Sequence, residues 1–209
     1  MKVLAQKFQT QIANIYTQYR EVVFPLVAFI ETIDCEFPIE ILNEIRSIFS
    51  HFSRAYDDSL EEEEIASELS KAEGHLKRAI LDCYKYACLS LVDSYERFRK
   101  EYKFADLAGI DNGDFLLMLT QSFSTGKQLL YKAKLSERQN KHSEALYGEF
   151  EQAFCSFLQS YKLIQSKISI VHRVSKKAKW SRFWGRFGFF ISLASLAIAF
   201  LEIVMNHLS

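Results

Sequence analysis

The sequence predicts an all-α chain: a cytosolic bundle of about five long helices over residues 1–171, then a neck at 172–186 and one membrane-crossing helix at 187–205. Three observations predict it. The 209 residues hold only seven Gly and two Pro, little punctuation for the turns a sheet needs. Apolar residues recur at three- and four-residue spacing through most of the chain, the period of a helix with one buried face. The run FGFFISLASLAIAFLEIVM at residues 187–205 has Glu202 as its only ionisable group. As a helix it would measure roughly 28 Å, close to the ~30 Å thickness of a hydrocarbon core.

The first helix is expected over residues 3–33, with Leu4, Phe8, Ile12, Ile15, Val22, Leu26 and Phe29 inward and Pro25 kinking or dividing it. Pro38 is placed to open a second helix that reaches about Tyr56, with an apolar stripe of Leu42, Ile45, Phe49 and Phe52. Asp57-Asp58-Ser59 breaks the chain. Ser59 with Glu62 has capping-box spacing, and Glu61 to Glu64 place negative charge at a helix N-terminus, which gives that acidic run a structural role.

The third helix is long, to about Tyr102, and Ile65, Leu69, Leu76, Ile80, Cys83, Ala87 and Leu91 mark its buried side. Gly109 and Asn112-Gly113 form a turn region. Asp114 can cap a fourth helix from Phe115 to about Leu135, and Ser136 followed by Gln139 signals another cap. A fifth helix starts near Ser143 and runs through Phe154, Phe157, Leu158, Tyr161 and Ile164 into the neck. Nothing clearly breaks it before Gly185, so body and neck are expected to form one nearly continuous rod.

Formal charge is zero overall but unevenly placed. The body is acidic, which excludes general nucleic-acid binding by charge. The neck carries Arg173, Lys176, Lys177, Lys179, Arg182 and Arg186 with no acid, interleaved with Trp180, Phe183 and Trp184. Cations and aromatics in that mixture are marks of a lipid interface and predict adhesion to anionic lipid, with the basic side kept in the cytosol. Lys176, Lys177, Lys179, Trp180, Arg182, Trp184 and Arg186 are the expected interface residues. MKVLAQKFQTQ is polar, so a cleavable export signal is not expected. The expected location is therefore the bacterial inner membrane, crossed once, with the N-terminal body cytoplasmic. Cys35, Cys83, Cys88 and Cys155 lack C-x-x-C spacing and read as reduced, small core residues.

Within the apolar run, Gly188, Ser192, Ser195, Ala199 and Glu202 follow one helical stripe of small or polar residues. Small residues allow close helix approach, so self-association is expected, as a tetramer or a five-helix assembly, with this stripe lining a cation-favouring pore. A lone anchor whose Glu202 reaches the far headgroups is the plain alternative.

In the body, His75, Arg78, Asp82 and Lys85 share one face of the third helix at spacings of three, four and three. With Arg46 they are candidates for a pocket that takes a phosphate-bearing ligand, Asp82 orienting the cations. The alternative is an interhelical salt-bridge row. No metal-spaced His/Cys set, Gly-rich phosphate loop or nucleophile elbow occurs, so neither metal nor cofactor is expected.

Arg46 and His51, within NEIRSIFSHFSRAY, match the R-x4-6-H pattern, and GHLKRAILDCYK follows. Across roughly residues 38–100 the chain resembles the HEPN superfamily of helical-bundle proteins, although Ser47 replaces the Asn often found after the Arg. In HEPN nucleases this Arg and His meet their copies across a dimer and cut RNA without metal, so the resemblance makes Arg46 and His51 the catalytic candidates of an endoribonuclease toxin. A HEPN-like bundle joined to an anchor also resembles membrane effectors of bacterial anti-phage and abortive-infection systems of the Hailong type. That resemblance implies a homo-oligomeric effector that acts as a pore or ion channel. It would be controlled by a nucleotidyltransferase-like partner or by a nucleotide or nucleic-acid oligomer. A tail-anchored adaptor without activity of its own is the third reading.

Overall fold

A computed structural model describes the backbone of residues 3–139 and 144–208; of the side chains of residues 144, 182, 185–187, 194 and 197–208 nothing is said. The regular secondary structure of the described residues is all helical, without strands, in the order α1 (Gln6–Gln18), α2 (Phe24–Asp34), α3 (Ile39–Ala55), α4 (Glu62–Glu101), α5 (Asp114–Gln139) and α6 (Glu144–Leu208).

The expected first helix is divided just ahead of Pro25, which lies in the first turn of α2. Tyr19–Val23 form a π-helical turn between α1 and α2, in which the Phe24 N–H bonds the Tyr19 carbonyl five residues back. The wider turn accommodates the hydrogen bond that a proline cannot donate. Cys35 ends α2 in the left-handed region at φ 57°, its N–H on the Glu31 carbonyl at 2.9 Å. Pro38 sits at the N-cap of α3, one residue before the helix.

The capping box of α4 lies two residues beyond the expected one. Glu61 and Glu64 exchange the reciprocal bonds, and the Asp57 carboxylate takes both the N–H and the hydroxyl of Ser59. Asp111 and Asn112 adopt left-handed backbone and Gly113 has φ 99°, closing a 3-10 turn at Leu107–Gly113 ahead of α5. Ser136 is not a cap; α5 continues through it to Gln139. Residues 140–143 lie outside the described part.

The forty-residue α4 is the strut that both halves of the core share. Its first half packs with α1, α2, α3 and the start of α6 around Leu69, Leu76, Ile41 and Phe150. Its second half packs with α5, α6 and the 3-10 turn around Leu91, Leu119, Phe157 and Val171. Every position predicted for the buried side of α4 is buried. On α3 the buried positions are Ile41, Ile48, Phe52 and Ala55, whereas Leu42 and Phe49, expected inward, are about half exposed. Cys83 and Cys88 are core residues as expected; Cys35 and Cys155 are exposed, and all four are free thiols.

α6 is one unbroken helix of 65 residues. Val171 and Ser175 are the last buried positions among its described side chains, and past Ala178 every described side chain is exposed. Among the described residues no helix is long and apolar enough to cross a membrane. This overturns the expected placement as a single-pass protein of the bacterial inner membrane.

Candidate functional site

Two polar stripes face each other where α3 packs antiparallel on α4. On α3 they are Glu40, Glu44, Ser47, His51 and Arg54; on α4, Glu68, Lys71, His75, Arg78, Asp82 and Lys85. Both follow alternating steps of three and four, which keep residues on one face of a helix.

His51 Nδ1 is 2.7 Å from Glu68 Oε2 and His75 Nδ1 is 2.7 Å from Glu44 Oε2. The two imidazoles stack, centroids 5.1 Å apart. An ionised carboxylate only accepts, so these two bonds require the hydrogen on each Nδ1. Arg78 donates from Nε to Glu44 Oε2 at 3.1 Å, and its Nη2 lies 2.7 Å from His75 Nδ1. His75 Nδ1 cannot both donate to Glu44 and accept from Arg78, so the proton at this nitrogen decides which bond is made. Lys71 and Arg54 complete the ring around Glu68. Hydrogen bonds from His51 first, then Lys71, hold the Glu68 carboxyl down at about 2. Farther along, Lys85 bonds Glu137 of α5 at 2.6 Å and approaches Asp82 at 3.5 Å. Burial raises the Asp82 carboxyl above its usual range, against the pull of Lys85.

His75, Arg78, Asp82 and Lys85 thus lie along one seam, as their spacing predicts, and each meets a neighbouring side chain. Glu44, Glu68 and Glu137 are the members that the sequence reading passed over. The cations of the seam face resident carboxylates, so an anionic ligand would have to displace one of them. Beside Glu68 an open cleft of about 450 Å³ is lined by Arg54, Asp57, Leu60, Glu64, Ser67 and Lys71, again of mixed charge. Among the described residues no group of His, Cys, Asp or Glu is placed to hold a metal ion.

Arg46 does not join the seam. It is exposed on the outer face of α3 beside Leu42 and Phe49. A five-residue step turns two helical side chains about 140° apart, which is why His51 faces α4 and Arg46 faces away.

The second candidate surface is the distal part of α6. Trp180, Phe183 and Trp184 form a ring cluster with centroids 5.8–6.5 Å apart. Ser192 and Ser195 donate to the carbonyls of Gly188 and Ile191, each at 3.0 Å, so their hydroxyls are spent within the helix. The side chains of Arg182, Arg186, Ala199 and Glu202, expected in the interface and the pore, lie outside those described.

Comparison with known protein families, curated proteins and solved structures finds no match to this chain.

Proposed function

We propose that the protein is an oligomeric effector controlled by a partner or ligand, in which the helical body receives the signal and the distal part of α6 assembles copies of the chain. One observation carries this reading. Phe189, Phe190, Ile191, Leu193 and Leu196 stand 53–72% exposed on the distal part of α6, and apolar surface of that extent in water calls for a cover. A second copy supplies one. The stripe of Gly188, Ser192 and Ser195, with its hydroxyls already bonded, allows close approach of a like helix, while Phe189, Leu193 and Leu196 form the adjoining bulky stripe. The resemblance to abortive-infection effectors supplies the setting, with a nucleotidyltransferase-like protein or a nucleotide-like ligand as the controlling partner. A pore is no part of the proposal, because it would require crossing helices.

Light scattering on the size-fractionated full chain tests it. A concentration-dependent oligomer is expected, reduced to monomer by Leu193→Asp with Leu196→Asp. A monomer at every concentration, or an oligomer indifferent to these substitutions, refutes the reading. The ribonuclease reading is less favoured by the geometry: Arg46 and His51 diverge, and His51 is engaged by Glu68 and stacked on His75.

A further inference from the structure

We infer that the neck face of α6 docks on an anionic lipid surface and lies along the headgroups. Stepping along the helix at about 100° per residue places Arg173, Lys176, Lys177, Trp180, Phe183 and Trp184 within one sector about 120° wide. Val171, Val174 and Ser175 occupy the other side, where Val171 and Ser175 are buried and Val174 packs against the core. The body therefore holds α6 with the cationic and aromatic face turned outward. Trp180, Phe183 and Trp184 are 65%, 60% and 50% exposed even though their rings touch one another. Arg173, Lys176 and Lys177 form no ion pair among the described residues, in contrast to the matched cations of the α3–α4 seam.

Charge complementarity identifies the occupant. Cations without acids attract a surface of negative headgroups, and rings among them insert at headgroup depth. A nucleic acid would favour rings set apart as stacking platforms. Here they pack against each other at edge-on and tilted angles as a single ridge. The acidic body of another copy is the remaining anionic surface, and the experiment separates it. Docking of this kind needs no crossing helix, and it does not depend on the assembly proposed above.

The chain has two tryptophans, both in this ridge, so intrinsic fluorescence reports on it directly. Full-length protein is titrated with phosphatidylcholine vesicles with and without phosphatidylglycerol, and with a single-stranded oligonucleotide. A blue shift and protection from acrylamide are expected only with phosphatidylglycerol, reversed by salt. Each cation near such a surface contributes about fivefold in affinity. Arg173→Gln with Lys176→Gln and Lys177→Gln should therefore weaken partitioning on the order of a hundredfold while leaving the circular dichroism unchanged. Equal shifts with both vesicles, no shift with either, or a larger response to the oligonucleotide overturn the inference. So do tryptophans already shielded before lipid is added, which would place the ridge on a neighbouring copy.

Discussion

Replacing Gly126 with alanine should destabilise the protein, although alanine is the better helix former. A Cβ at Gly126 would stand 2.7, 2.8 and 3.0 Å from three ring atoms of Phe157, well inside van der Waals contact. Phe157 is 1% exposed, and its ring packs edge-on to Phe123, which stacks on Tyr95 at 3.6 Å. The ring has no free direction in which to retreat, so relief requires α5 and α6 to separate. Overpacking of a tight core costs about 1–3 kcal/mol, and this contact belongs at the upper end. The gain in helix propensity returns about 1 kcal/mol. The net is a loss of about 2 kcal/mol, or a melting point about 4–8 °C lower for a chain of this size. Gly148→Ala is the control. A Cβ there meets nothing within 4 Å, so propensity acts alone and stability should rise by about 0.5–1 kcal/mol. Urea denaturation followed by circular dichroism reads both. Combining Gly126→Ala with Phe157→Leu should recover part of the loss, since the two sites are in contact. A Gly126→Ala protein as stable as its parent would refute the claim that α5 and α6 meet backbone to ring at this point.

Other outcomes follow from the seam and the thiols. Glu68→Gln keeps the shape and removes the charge that His51, Lys71 and Arg54 surround. The Glu68 carboxyl is depressed in the folded state, so its stabilisation is complete above about pH 4.5 and is lost as pH falls toward about 2. Linkage allows at most about 3 kcal/mol, and solvent around Arg54 and Lys71 reduces this to about 1–2; the gap between parent and variant at neutral pH should close in acid melts. His51→Ala should cost about 1–3 kcal/mol in urea denaturation because the Glu68 carboxylate loses its buried imidazole partner, whereas Arg46→Ala, on the exposed face, should stay within about 0.5 kcal/mol. Cys35 and Cys155 should react with a thiol reagent in the native protein, while Cys83 and Cys88, whose thiols burial pushes up to about 12, should react only after unfolding.

The order of the helices and the extent of α4 were legible because α4 keeps one apolar face from Ile65 to Leu91 without interruption, and because Pro38 and Asn112-Gly113 mark real boundaries. The facing of α3 was not. Ile41, Ile48, Phe52 and Ala55 compete with Leu42, Ile45 and Phe49 for the core, and only packing against α4 decides between the two stripes. Capping was misjudged at Ser59 because Asp57 takes its hydroxyl, leaving Glu61 to close the helix. The polar stripe of α4 could be read from its spacing. Its partners on α3 could have been found from the same three-four rhythm in Glu44, His51 and Arg54, but Glu137 belongs to a distant helix and carries no local signal. The approach of Gly126 to Phe157 is likewise a tertiary fact.

The uninterrupted α6 has a consequence for how its length can change. A single inserted residue between Ser175 and Gly188 would swing everything downstream by about 100° around the axis, whereas seven inserted together would restore the orientation to within about 20°. The phase of the ridge relative to the body is thus encoded by counting residues, with no hinge to absorb an error. A one-residue insertion should abolish whatever the outward face does while leaving the bundle intact.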